Sequence, residues 1–127
     1  MIARLLVAMV LIAVVAGCSG DAETAPGHTS DDLRYAVQAY SDSYLTGDIA
    51  AYELLSARCQ ERFTIAQFHG LLAAAESAYG VSLPLRTFAA DVSGDLARAT
   101  YTYDVAAIDQ QAEPWTREGG QWKQDDC

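Results

Sequence analysis

The chain reads as an α+β domain in which three helices come first and a curved antiparallel sheet follows. Three observations predict this. Apolar residues recur at helical spacing from Leu33 to Tyr79, the period falls to two after Pro84, and two glycine-centred turns, Gly94-Asp95 and Gly119-Gly120, divide the later half into hairpins. With all helices ahead of all strands, the helical layer covers one face of the sheet. The domain so defined is residues 30–127, enough for one hydrophobic core and too little for two.

Thr29 with Asp32 resembles a capping box, and Asp31 and Asp32 suit the positive end of a helix dipole. The first helix then presents Leu33, Val37, Tyr40 and Tyr44 on one face, and Gly47 ends it. Asp48 can cap a short second helix with Ile49, Tyr52 and Leu54 or Leu55 as its buried stripe, and Cys59 follows one turn later. Thr64 with Gln67 forms a cleaner capping box. It opens a third helix whose stripe is Ile65, Phe68, Leu72, Ala75 and Tyr79, with Gly80 as the stop and His69 half-buried at the stripe's edge.

In the strands, Phe88, Ala90 and Val92 alternate with polar or small residues, as do Ala97, Ala99, Tyr101, Tyr103 and Val105. A two-residue turn at Gly94-Asp95 sets Val92 opposite Ala97, Ala90 opposite Ala99 and Phe88 opposite Tyr101. On the other face it sets Asp91 opposite Arg98, Ala89 opposite Thr100 and Thr87 opposite Thr102, giving one charge pair and one hydroxyl pair toward solvent. The second turn, Gly119-Gly120, places Arg117 across from Trp122 in reach of a cation–π contact, with Trp115 on the same face. Regular strand geometry would point Cys127 away from that face, so the chain is expected to leave strand geometry at Asp125-Asp126.

At the N-terminus, Arg4 precedes the apolar run Leu5 to Ala16, which closes with Val15-Ala16-Gly17-Cys18. This run falls short of the roughly 20 residues a spanning helix needs. The order of charge, apolar run and Val-Ala-Gly-Cys resembles the signal peptide and lipobox of bacterial lipoproteins. The resemblance implies removal of residues 1–17, diacylglyceryl modification of Cys18, and attachment to the extracytoplasmic face of a membrane. Residues 18–29, rich in small, polar and helix-breaking types and holding His28, then form a flexible tether. With Cys18 carrying lipid, Cys59 and Cys127 remain as an even pair in an oxidising compartment, where a disulfide is expected. A metal site from these thiols and His69 lacks ligands at short spacing. No cofactor is implied.

The formal net charge of −9 disfavours nucleic acid and anionic surfaces as partners. Tyr40 to Tyr44 with Leu45-Thr46-Gly47-Asp48, the segment Ala51 to Cys59, the helix end Ala78-Tyr79-Gly80 and the closing Trp115 to Trp122 resemble the NTF2-like superfamily, in particular small exported lipoproteins of actinobacterial type. That resemblance implies a cystatin-like cone with a pocket between the sheet and the first helix. Tyr40, Tyr44, Phe88, Tyr101, Tyr103, Trp115 and Trp122 are the candidates to line it. The expected function is a tethered, non-catalytic module that binds a small apolar ligand or an envelope protein. The alternatives are a dimerising accessory subunit, with Asp91, Arg98, Thr100 and Thr102 near the contact, or a small isomerase or hydrolase. The enzyme reading has only Asp104 and Asp109 with Tyr40 or Tyr103 to draw on, and strand alternation turns Asp104 away from the tyrosines.

Overall fold

A computed structural model of the chain describes residues 26–127, so the lipobox, Cys18 and the tether as far as residue 25 lie outside the described residues. Helix α1 runs Pro26–Leu45, α2 Ala50–Glu53, α3 Ala57–Arg62 and α4 Ile65–Ala78. Strands β1 (Thr87–Ser93), β2 (Leu96–Thr102), β3 (Gln110–Glu118) and β4 (Gln121–Gln124) form one antiparallel sheet in sequence order, with a 3-10 turn at Ala106–Ile108 before β3. The architecture is α+β, with four α-helices among the described residues where three were expected.

The first helix starts a turn earlier than Thr29, at Pro26, whose missing N–H costs nothing in a first turn. It ends in a Schellman motif. The Asp48 N–H reaches the Ser43 carbonyl at 2.8 Å and the Gly47 N–H reaches that of Tyr44 at 3.3 Å, while Gly47 takes φ +75°. Asp48 Oδ1 then accepts from the Ala50 N–H at 2.9 Å. The expected second helix breaks in two because Leu55 makes a parallel bridge to Gln124, after which Ser56 caps α3 by accepting from the Cys59 N–H. Leu55, not Leu54, is the buried residue of the pair. The capping box of α4 forms as read, Thr64 with Gln67. Its stripe is shorter than expected: Phe68, Leu72 and Ala75 are buried, but Ile65 and His69 are exposed, no element among the described residues covering the first turn of α4 on that side.

The β1–β2 hairpin adopts the register read from the turn, from Ser93 opposite Leu96 to Thr87 opposite Thr102. The two threonine hydroxyls lie 2.7 Å apart. The Asp91–Arg98 register holds, but the Arg98 guanidinium turns to the Ala112 carbonyl instead of forming an ion pair with Asp91. The alternation also stops sooner than expected, since β2 ends at Thr102. There the Tyr103 N–H donates to the Asp109 carboxylate at 2.8 Å, and Val105 is left exposed. At the other hairpin Arg117 faces Trp122 across the strands, its guanidinium carbon 4.5 Å from the ring centroid. Beyond Gln124 the chain leaves the sheet, and Cys59 and Cys127 are joined by a disulfide with their Cα atoms 5.6 Å apart.

Two apolar clusters result. One places Leu33 and Val37 of α1 on Ala97, Ala99, Tyr101, Tyr103, Trp115 and Trp122 of the sheet side; the other gathers Ala51, Leu55, Cys59, Phe68 and Leu72 in the helical layer. Leu33 and Val37 are wholly buried, worth roughly 1.5–3 kcal/mol each by removal from water. Tyr40 packs against both clusters.

Candidate functional site

A cavity of about 290 Å³ opens between these clusters. Its floor is sheet and its walls are helical. From α1 come Tyr40, Ser41 and Tyr44; from the helical layer Leu55, Phe63, Phe68, Leu71 and Tyr79; from the sheet side Tyr101, Tyr103, Ile108, Gln110 and Glu113; and from the end of the chain Gln124 and Asp126. Four of the seven aromatic candidates therefore meet here: Tyr40, Tyr44, Tyr101 and Tyr103. The other three do not line it. Trp115 lies beneath, edge-on to Tyr40 at 6.1 Å, Phe88 packs against the sheet cluster, and Trp122 lines a separate surface groove under Arg117.

A β-bulge sets the polar end of the cavity. Between the pairs Ala99–Glu113 and Tyr101–Gln110, β3 carries one residue more than β2. Ala112 takes φ +50°, and its backbone groups are held by β2 side chains: the N–H donates to Thr100 Oγ1 at 3.0 Å and the carbonyl accepts from Arg98. Thr100 and Arg98, which the dimer alternative sets near a contact, hold the bulge in place. The extra residue shifts the phase of β3, so that Glu113 stays on the buried face with Trp115 while Gln110 also reaches the cavity.

Glu113 is buried, and three protein donors converge on it. The Tyr101 hydroxyl and the Trp115 indole N–H, the latter at 2.8 Å, donate to Oε2, and the Gln124 amide donates to Oε1 at 3.2 Å. Burial pushes its pKa above the ordinary value, against the three hydrogen bonds that favour the charged form; the Asp126 charge adds a further push upward. Burial likewise raises the hydroxyls of Tyr40, Tyr44 and Tyr101. Tyr103, which donates to Ser41 Oγ at 2.6 Å, is pushed up to about 12, again chiefly by burial.

Gln124 completes the set. Its amide nitrogen is directed to Glu113 Oε1 and to the Asp126 carbonyl, both acceptors, which orients the group and leaves Oε1 buried without a donor among the described residues. A buried acceptor without a partner is costly unless something entering the cavity supplies an N–H or O–H.

The carboxylates considered from the sequence lie elsewhere. Asp104 is exposed and paired with Arg86, which holds its carboxyl below the usual range, and Asp109 is engaged by the Tyr103 N–H. Glu113 and Gln124 were not singled out from the sequence. A signal was present for the first: Glu113 stands two residues before Trp115, so it shares the buried face of any strand through Trp115. Among the described residues no three His, Cys, Asp or Glu side chains gather to hold a metal ion. No family model, curated protein or solved structure matches this chain.

Proposed function

We propose that the chain is a non-catalytic, NTF2-like ligand-binding module, carried on a membrane by lipid attached to Cys18. The observation that carries the binding reading is the cavity itself. It has aromatic and aliphatic walls, a few convergent polar groups at one end, and an orphan acceptor, Gln124 Oε1, beside a fixed carboxylate. Its volume lies at the lower end of the roughly 300–1,000 Å³ usual for small-molecule pockets, which suits a compact ligand. Helices ahead of an antiparallel sheet, with α1 packed across that sheet, support the NTF2-like assignment.

Glu113 favours recognition over proton transfer. Three of its lone-pair positions are taken by Tyr101, Trp115 and Gln124, so little of the carboxylate is free to take a proton from a bound molecule. Tyr101 spends its proton on the same group and is not free to donate to a developing oxyanion.

The binding reading is tested by titrating the neutral, environment-sensitive dye prodan into the protein and into Leu71→Trp. Leu71 lines the cavity and is 41% exposed, so the larger ring can fill the space with little cost to the fold. Saturable fluorescence enhancement in the parent, lost in L71W at unchanged melting temperature, is expected. Equal enhancement in both would remove the cavity from the explanation. The anchor is tested by intact mass and membrane fractionation of the full chain beside Cys18→Ala. A lipid-bearing mass and membrane association are expected in the parent and neither in the variant.

A further inference from the structure

We infer that the cavity selects a protonated amine, a small organic cation whose N–H groups reach Glu113 and Gln124 Oε1 while its apolar body lies among the tyrosines and phenylalanines. This rests on the ligand-binding reading above and narrows its chemistry. Three independent observations point the same way.

The first is charge. Two carboxylates, Glu113 and Asp126, line the cavity, and among the described residues no Lys, Arg or His does. An anionic ligand would be brought against both carboxylates with no lining cation to offset them. The second is the orphan acceptor. Gln124 lines the cavity at 4% exposure, and its Oε1, itself without accessible surface, has no donor among the described residues, so a ligand N–H that pairs it does so by a small shift of the amide toward the cavity. Glu113 asks for a donor as well: its three donors leave one lone-pair position of a carboxylate unused. The third is the wall. Tyr40 and Tyr44, which stack at 5.7 Å, and Phe68, edge-on to Tyr44 at 6.2 Å, all line the cavity that Glu113 also lines. An aromatic wall beside a buried carboxylate stabilises a cation in a way it does not stabilise a neutral alcohol.

A primary or secondary ammonium answers all three. It brings positive charge to Glu113 and Asp126, an N–H to Gln124 Oε1, and an apolar substituent to the aromatic walls. A quaternary ammonium brings the charge and no donor; an alcohol brings a donor and no charge.

The test compares four probes of one skeleton by calorimetry on the folded protein: 2-phenylethylamine, trimethyl(2-phenylethyl)ammonium, 2-phenylethanol and 3-phenylpropanoate. The amine is expected to bind about tenfold or more tighter than the alcohol, in line with a charge-assisted hydrogen bond in a buried site. The quaternary probe is expected between them, and the carboxylate not to bind. Glu113→Gln should bring amine and alcohol within about threefold of each other. Asp126→Asn, at an exposed side chain that leaves the interior packing intact, should lower the amine preference by a smaller factor.

Equal binding of amine and alcohol, tighter binding of 3-phenylpropanoate, or a quaternary probe as tight as the amine would each overturn the inference. So would an amine preference undiminished in both E113Q and D126N, since the selecting charge would then lie elsewhere. If prodan binds and L71W blocks it while the amine shows no preference, the cavity stands and only its chemistry is wrong. If no probe and no dye binds, the ligand-binding reading fails with it.

Discussion

Removing the Cys59–Cys127 disulfide tests the energetics of the whole domain, because that bond closes a loop of 68 residues containing α4 and the entire sheet. The perturbation is the double variant Cys59→Ala, Cys127→Ala. Alanine is chosen because Cys59 is fully buried beside Leu55, Phe68 and Leu72, and alanine brings no new polar group into that cluster. On the chain-entropy model, a loop of this length restricts the unfolded chain by about 4 kcal/mol at 25 °C. The sulfur lost from the Cys59 pocket adds on the order of 1 kcal/mol. A loss of that size is a large part of the roughly 5–15 kcal/mol that keeps a domain folded. It corresponds to a melting point lower by roughly 15–30 °C for a domain of about 100 residues. The assay is urea unfolding of the oxidised parent and the variant, followed by tryptophan fluorescence, since Trp115 and Trp122 are both buried. A decrease below about 1 kcal/mol would refute the reasoning. It would mean that the tail is held by its polar contacts alone: the Ser56 hydroxyl and Arg58 on the Asp125 carboxylate, and Arg62 on the Cys127 carbonyl.

Three further outcomes are expected. Burial holds more protons on Glu113 in the folded state than in the unfolded one, so its contribution to stability declines as pH rises from about 4.5 through its raised folded value; the stability difference between the parent and E113Q, measured by urea unfolding across that range, should shift against the parent with increasing pH. Gly47→Ala places a Cβ at φ +75° and 2.6 Å from Glu76 Oε2; the side chain of Glu76 can swing away but the backbone cannot, and a loss of roughly 1–2 kcal/mol is expected in thermal melts. Thr64→Ala removes the acceptor for the Gln67 N–H at the start of α4 and should cost about 1 kcal/mol, read in the same melts, with dye binding retained.

The layout was legible wherever local chemistry decides structure. Gly94-Asp95 and the alternation on either side of it are enough to derive the whole β1–β2 register, because slipping by one residue would turn Ala97, Ala99 and Tyr101 to solvent. Thr64 with Gln67 and Gly47 with Asp48 mark their helix ends for the same reason. The parts that escaped sequence reading depend on contacts far along the chain. Between Ile49 and Cys59 only Ser56, an N-cap type, hints at a new helix start; the break at Leu55 is fixed by its bridge to Gln124, about 70 residues later. The polar end of the cavity was hidden similarly. The spacing of Glu113 to Trp115 is the signal that was present, but Pro114 interrupts a β-like pattern and the bulge at Ala112 ends the alternation just before it, so the strand that carries both residues is hard to read. The tyrosines stand out because they sit at core spacing; Glu113 and Gln124 hold the same two-residue spacing to Trp115 and Trp122, but polar side chains read as solvent-facing.

The bridge between Gln124 and the helical layer also sets an order of events during synthesis. The Ser56 N–H donates to the Gln124 carbonyl at 2.8 Å, and the Gln124 N–H donates to the Leu54 carbonyl at 2.9 Å. A nascent chain that has already made α1, α4 and the first hairpin still lacks both bonds, so its α2–α3 segment has nothing to lock against. Until residues 124–127 have emerged, Cys59 must remain reachable and Phe68 and Leu72 have an incomplete cover. The cavity is therefore completed only by the last strand and the tail, since Gln124 and Asp126 follow every other lining residue in the chain.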